Sequence, residues 1–132
     1  MARQCAALED IPEEVMAIRY EPLSLADLYI SYAGKFEATH VIHSRLSTIG
    51  PGTELSMRGV GDGLELIDAG GFCIARLSRQ GALRWTEKLD RVKKVRVIGM
   101  IQSEKRFEAE EFRDQCLADR WEVPWVEVVW TA

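Results

Sequence analysis

The sequence predicts an α+β domain in which helices precede a small antiparallel sheet that curls into a barrel. Three observations lead there. Apolar residues recur at helical spacing up to about residue 49. They alternate singly with polar residues from residue 54 onward. Glycine turns punctuate that second region at short intervals, as in a meander of short strands. The chain is taken as one domain over residues 1–132, with a helical part at about 10–49 and a β part at about 53–130.

Asp10-Ile11-Pro12-Glu13-Glu14 has a capping residue, a proline and two acids, as at a helix start. A short helix to about Ile18 is expected, ended by Glu21-Pro22. Ser24-Leu25-Ala26-Asp27 resembles a capping box. Leu25, Leu28, Tyr29 and Tyr32 follow at helical spacing, with Gly34 as the stop. A third helix is expected over Phe36–Thr48, with Ala38, Ile42, Leu46 and Ile49 on its apolar side.

The period then becomes two. Leu55 and Met57 alternate with Glu54, Ser56 and Arg58, and Gly59-Val60-Gly61-Asp62-Gly63 turns the chain. Leu64 and Leu66 flank Glu65, Asp68–Gly71 turns again, and Phe72–Leu77 makes a third strand. A fourth is expected over Val92–Gln102 and a fifth over Trp121–Trp130. In the fifth the inward set changes parity at Pro124, which predicts a bulge or an edge there. Glu108–Ala118 fits either a helix or an ordered loop. The expected core joins Leu55, Met57, Leu64, Leu66, Ile74, Val95 and Val97 to Leu28, Ile42 and Leu46.

Composition bounds the function. The 132 residues are 47% hydrophobic and 29% charged, an ordinary globular balance. No apolar run is long enough to span a membrane, and the N-terminus reads as free of a secretion signal. Cys5, Cys73 and Cys116 are odd in number and widely spaced, which favours a reducing, cytoplasmic setting over a disulfide framework or zinc knuckle. The net charge of −4 conceals a basic segment. Residues 76–106 hold ten Lys/Arg against three acids, while the rest holds seven basic and eighteen acidic side chains.

Catalytic signatures are missing. There is no P-loop, no G-x-S-x-G elbow and no H-E-x-x-H. His40 and His43 would lie close together on a helix, but share its polar face with Glu37, Ser44 and Ser47, so a solvated face is expected rather than a metal site. Glu108, Glu110, Glu111 and Asp114 read as a solvated acidic face. No enzyme activity, cofactor, catalytic residue or metal ligand is therefore expected. The basic segment is the candidate site: Arg76, Arg79, Arg84, Lys88, Lys93, Lys94 and Arg96 would contact phosphates. Trp85 would either stack a base or close the end of the barrel.

From Tyr20 to Trp130 the order of short motifs resembles a C-terminal accessory region of bacterial RecQ-type DNA helicases. The resemblance rests on Tyr20-Glu21-Pro22, Asp27-Leu28-Tyr29-Ile30-Ser31-Tyr32, Val41-Ile42-His43-Ser44-Arg45-Leu46 and Pro51-Gly52-Thr53-Glu54-Leu55-Ser56-Met57-Arg58. It continues through Asp68–Ser78, Phe112-Arg113-Asp114 and Asp119-Arg120-Trp121-Glu122-Val123. The chain departs from that pattern at Gly81–Trp85, which lacks an expected proline pair, and at Pro124-Trp125. The strand pattern is also similar to HIRAN-type domains, which at fold level implies single-stranded DNA ends. The resemblance implies a non-catalytic DNA-binding accessory domain of a helicase or DNA-processing protein, with a part in DNA repair. Its partners would be single- or double-stranded DNA and a helicase motor or other protein, with no membrane. The competing expectation is a protein-interaction module using the acidic helices or the Pro124 edge.

Overall fold

Six antiparallel strands dominate the computed structural model, which describes residues 17–132. They are β1 (Ile18–Pro22), β2 (Glu54–Val60), β3 (Gly63–Ile67), β4 (Cys73–Arg76), β5 (Val92–Glu104) and β6 (Arg120–Thr131). The order across the sheet is β1-β6-β5-β2-β3-β4. Two short helices, α1 (Val41–Ser47) and α2 (Arg79–Trp85), join them. Among the described residues no helix is long and apolar enough to cross a membrane.

Alternation acts as expected where one face of a strand is buried. Leu55, Leu64, Leu66, Ile74, Val95 and Val97 form one buried cluster with Leu28, Ile42 and Leu46, and Met57 packs partly buried against it. Between β2 and β3 the chain turns on Gly61-Asp62 alone, because Val60 already pairs with Gly63. Gly61 has φ +58° and Asp62 a negative φ, the order of a II′ hairpin turn. In β6 Trp121 and Val123 are buried on one parity and Val126 and Val128 on the other. The compensating register shift falls on β5, between Val97 and Gly99 opposite Trp125. Pro124 is itself buried and faces Met100 across the ladder.

The helical expectations need correction. The helix expected from Asp10 lies largely outside the described residues, and at its far end Ile18 opens β1 instead. Residues 24–34 form two 3₁₀ turns, Leu25–Asp27 and Ala33–Lys35, not one helix. Leu28 bridges to Leu77 and the Tyr29 amide donates to the Arg76 carbonyl (2.9 Å), which demands extended backbone between the turns. The third helix starts only at Val41, because Phe36 and His40 are extended. Glu110–Gln115 is a 3₁₀ turn. The α+β class stands, but among the described residues the helices do not precede the sheet as a layer.

Nor is the sheet a closed barrel. β1 and β4 are its two edges and do not pair. The chain leaving β1 straps the gap: Leu23 donates to the Val126 carbonyl on β6, and five residues later Leu28 bridges beyond β4.

α2 packs on the strap at Leu25–Asp27 and is capped by the Ser78 hydroxyl, which accepts from the Gly81 amide (3.1 Å). A Cβ on Gly81 would sit 2.2 Å from the Asp27 carbonyl oxygen, so only glycine lets α2 approach this closely. Asp27, 1% exposed, accepts from the Ser24 amide (3.1 Å) and from Arg84 (2.8 Å). Trp85, at the end of α2, is 0% exposed and meets Trp130 edge to face, centroids 5.7 Å apart.

Candidate functional site

The structure divides the eight sequence-predicted site residues into three environments. Lys94 and Arg96 project from β5 on the face opposite Val95 and Val97, as alternation requires, but each meets a carboxylate. Lys94 pairs with Glu54 (3.0 Å) and Arg96 with Glu127, and nearby on β2 Arg58 pairs with Glu65. That face is a lattice of alternating charge, not a basic stripe. Lys93 is exposed at the start of the strand.

Arg84, Trp85 and Lys88 close the top of the core. Arg84 is held by Glu21 and Asp27. Lys88 Nζ lies 5.0 Å from the Trp85 ring centroid and 4.6 Å from that of Trp130, and Arg91 lies 5.4 Å from Trp130. These cations cover the tryptophans and gain from their ring faces. Trp85 has no exposed face for a base to stack on, which leaves the packing role of its two expected alternatives. Both indole N–H groups, Trp85 and Trp130, are buried without an acceptor among the described residues.

Arg76 and Arg79 remain, and they share a cleft of about 480 Å³ at the β4 edge with Tyr29, Asp62 and Leu83. Arg76 ends β4 and lays its guanidinium across Gly63, where a Cβ would sit 2.9 Å from it. Arg79 is exposed at the start of α2. Tyr29 is positioned by its amide bond to Arg76 and is also a wall of a second cleft, about 500 Å³, with Lys35 and Phe112. Lys35 Nζ stands 5.0 Å from the Tyr29 ring centroid. Among the described residues none of Lys35, Arg76 and Arg79 has a carboxylate partner. Two clefts that share the half-buried Tyr29 thus hold three cations unpaired among the described residues, one of them, Lys35, beside its ring.

No protein-family model, curated protein or solved structure matches this chain. Its chemistry is therefore read from the clefts themselves.

Tyr29 and Lys35 escaped the sequence reading because Tyr29 fits a helical apolar stripe with Leu25, Leu28 and Tyr32. Nothing in that spacing reveals that the backbone becomes extended at Leu28. His40 and His43 serve structure. His40 is the N-cap of α1, its Nδ1 accepting from the Ile42 amide (3.0 Å), with its ring 4.5 Å from that of Phe36. His43 Nε2 donates to the Phe36 carbonyl (3.1 Å). His40 thus precedes the helix instead of lying on its polar face, whereas His43 lies on α1 and is half-buried. No cluster of three metal-ligating side chains occurs among the described residues.

Burial pushes the thiol of Cys73 up in pKa, and the nearby Glu65 adds to the effect. Burial likewise raises Cys116, reinforced by Glu108. Tyr32 is raised as well, first by burial and then by its hydrogen bond with Cys73. These groups stay protonated at neutral pH. What the clefts offer is three cations against two carboxylates, Asp62 and Glu108, with hydrogen-bonding groups and ring faces, the means of binding an aromatic ligand that carries negative charge.

Proposed function

We propose that this chain is a non-catalytic module that binds single-stranded nucleic acid along the two clefts that meet at Tyr29, as an accessory to a DNA helicase or DNA-processing protein. The observation that carries the proposal is the pair of clefts that share Tyr29 and hold Lys35, Arg76 and Arg79, three cations without an ion-pair partner among the described residues, with Lys35 beside the Tyr29 ring. Phosphates contribute sequence-independent affinity through cations, and exposed bases stack on aromatic faces. A duplex hides its base faces, so the aromatic wall favours a single strand. The likeness of the sequence to a RecQ-type accessory region supports the same class of ligand. The proposal moves the site from the strand face of Lys94 and Arg96 to the β4 edge, because carboxylates already occupy the former.

The test is a fluorescence-anisotropy titration of labelled single- and double-stranded oligonucleotides at low salt. The single strand is expected to bind more tightly. Tyr29→Ala is expected to cost about 1–3 kcal/mol of binding, the range for a stacked base. Equal binding of both forms, or full affinity in the Tyr29 variant, would refute the proposal. A protein-docking role is favoured by one observation, the exposed Phe107 (60%) and Leu117 (60%) beside the acidic turn between β5 and β6. Association that is indifferent to salt would support that role instead.

A further inference from the structure

The cleft on the Lys35 side of Tyr29 is about 500 Å³, within the range of small-ligand sites. Its walls are two aromatic rings, Tyr29 and Phe112, the latter 49% exposed. Its polar lining is Ser31, Lys35, Glu108 and Gln115. The Ser31 hydroxyl donates to Glu108 Oε1, which fixes the carboxylate in the cleft although it comes from the far end of the chain. Glu108 Oε2 has no protein donor among the hydrogen bonds of the described residues. Aromatic walls with one anchored acceptor group and one ammonium suit a flat heterocycle that carries donors beside an acceptor.

We infer that this cleft receives one unstacked base of the bound strand and selects guanine, with Glu108 as the specificity-determining residue. This rests on the single-strand binding proposed above. An unpaired base is read on its Watson–Crick edge while held by aromatic side chains. Guanine alone presents two adjacent donors on that edge, the ring N1–H and the N2 amino group, next to the O6 acceptor. A carboxylate has only acceptors and matches the donor pair, and the Lys35 ammonium has only donors and suits O6. Adenine and cytosine place a ring-nitrogen acceptor beside their amine. Thymine flanks its single N–H with two carbonyls. In each of these an acceptor faces the carboxylate, which is repulsive. Discrimination by an added repulsion is as effective as by an added bond.

The experiment uses the full chain and short labelled deoxythymidine strands with one central dG, dA, dC or dT, titrated at low salt. The dG strand is expected to bind about tenfold more tightly than the other three, the scale of one bidentate base contact. Glu108→Gln is expected to erase that preference while leaving the salt dependence unchanged, because no phosphate contact is lost. Lys35→Gln is expected to weaken both the preference and the salt dependence. Equal affinity for all four strands overturns the guanine assignment and leaves the single-strand proposal intact. A guanine preference that survives Glu108→Gln also overturns it. Failure of every strand to bind removes both.

Discussion

Gly81→Ala sets helix propensity against packing. In an exposed helix interior alanine is favoured over glycine by about 1 kcal/mol. Here the new Cβ would lie 2.2 Å from the Asp27 carbonyl oxygen and 3.0 Å from its carbonyl carbon and Cα, all of them backbone atoms. Relief requires α2 to retreat by about 1 Å. A gap of that size forfeits a quarter to a half of the dispersion energy across it. Trp85 is fully buried, and complete loss of such a side chain costs about 3–5 kcal/mol, so partial loss costs about 1–2 kcal/mol. The retreat also strains the bonds from the Ser78 amide to the Asp27 carbonyl (2.8 Å) and from the Ser78 hydroxyl to the Ala26 carbonyl (2.6 Å), each of about 1 kcal/mol. Setting the propensity gain against these losses leaves a net destabilisation of about 2–3 kcal/mol. Urea denaturation measures it directly, and the lower midpoint is expected with an unchanged m-value. Gly50→Ala is the control, since nothing lies within 4 Å of its added Cβ and its φ is not positive. It is expected to change stability by no more than about 1 kcal/mol. A Gly81→Ala variant as stable as the parent would refute the close docking of α2 on Asp27.

His40→Ala should cost about 0.5–2 kcal/mol through loss of the α1 N-cap, and His40→Asn should retain most of it, both read from urea melts. Asp68 gives a pH-dependent contribution. Burial raises its pKa, but hydrogen bonds from the Phe72 and Gly70 amides and the Arg45 ion pair (2.7 Å) outweigh it and hold the group below its ordinary 3.8. A depressed folded-state pKa contributes stability that is present above the unfolded value and lost as pH falls through the folded one. The parent should therefore lose more stability than Asp68→Asn between about pH 5 and about pH 3. Equal losses in the two proteins would contradict the assigned role of the Arg45–Asp68 pair.

The sheet was legible because burial of one face imposes a period of two, and that signal is dense in Leu55/Met57, Leu64/Leu66 and Val95/Val97. Even the parity change at Pro124 could be read, although its bulge falls on β5 at Gly99, a bulge signal that the β-branched run around it obscured. The helices were obscured by competing tertiary bonds. Leu25, Leu28, Tyr29 and Tyr32 keep helical spacing, yet Tyr29 satisfies its amide on β4, which forbids a helix. Conversely α2 went unseen because Gly81 lowers its propensity, and the glycine is there for the contact with Asp27. β1 was hidden by Pro22 and by exposed Tyr20, since three of its five residues face solvent. At the site, charge could be counted along the chain but ion pairing could not. Glu54 and Glu127 lie far in sequence from Lys94 and Arg96, and only the sheet register brings them together.

The salt dependence of single-strand binding tests the central claim most directly. Three neutralised phosphates, one each at Lys35, Arg76 and Arg79, give a log–log slope of roughly −2. Arg76→Gln with Arg79→Gln should leave a slope of about −0.7, the value for one phosphate. Lys94→Gln with Arg96→Gln should leave the slope near −2, since those cations are already paired within the sheet. A slope that collapses in the Lys94/Arg96 variant and persists in the Arg76/Arg79 variant would contradict the account.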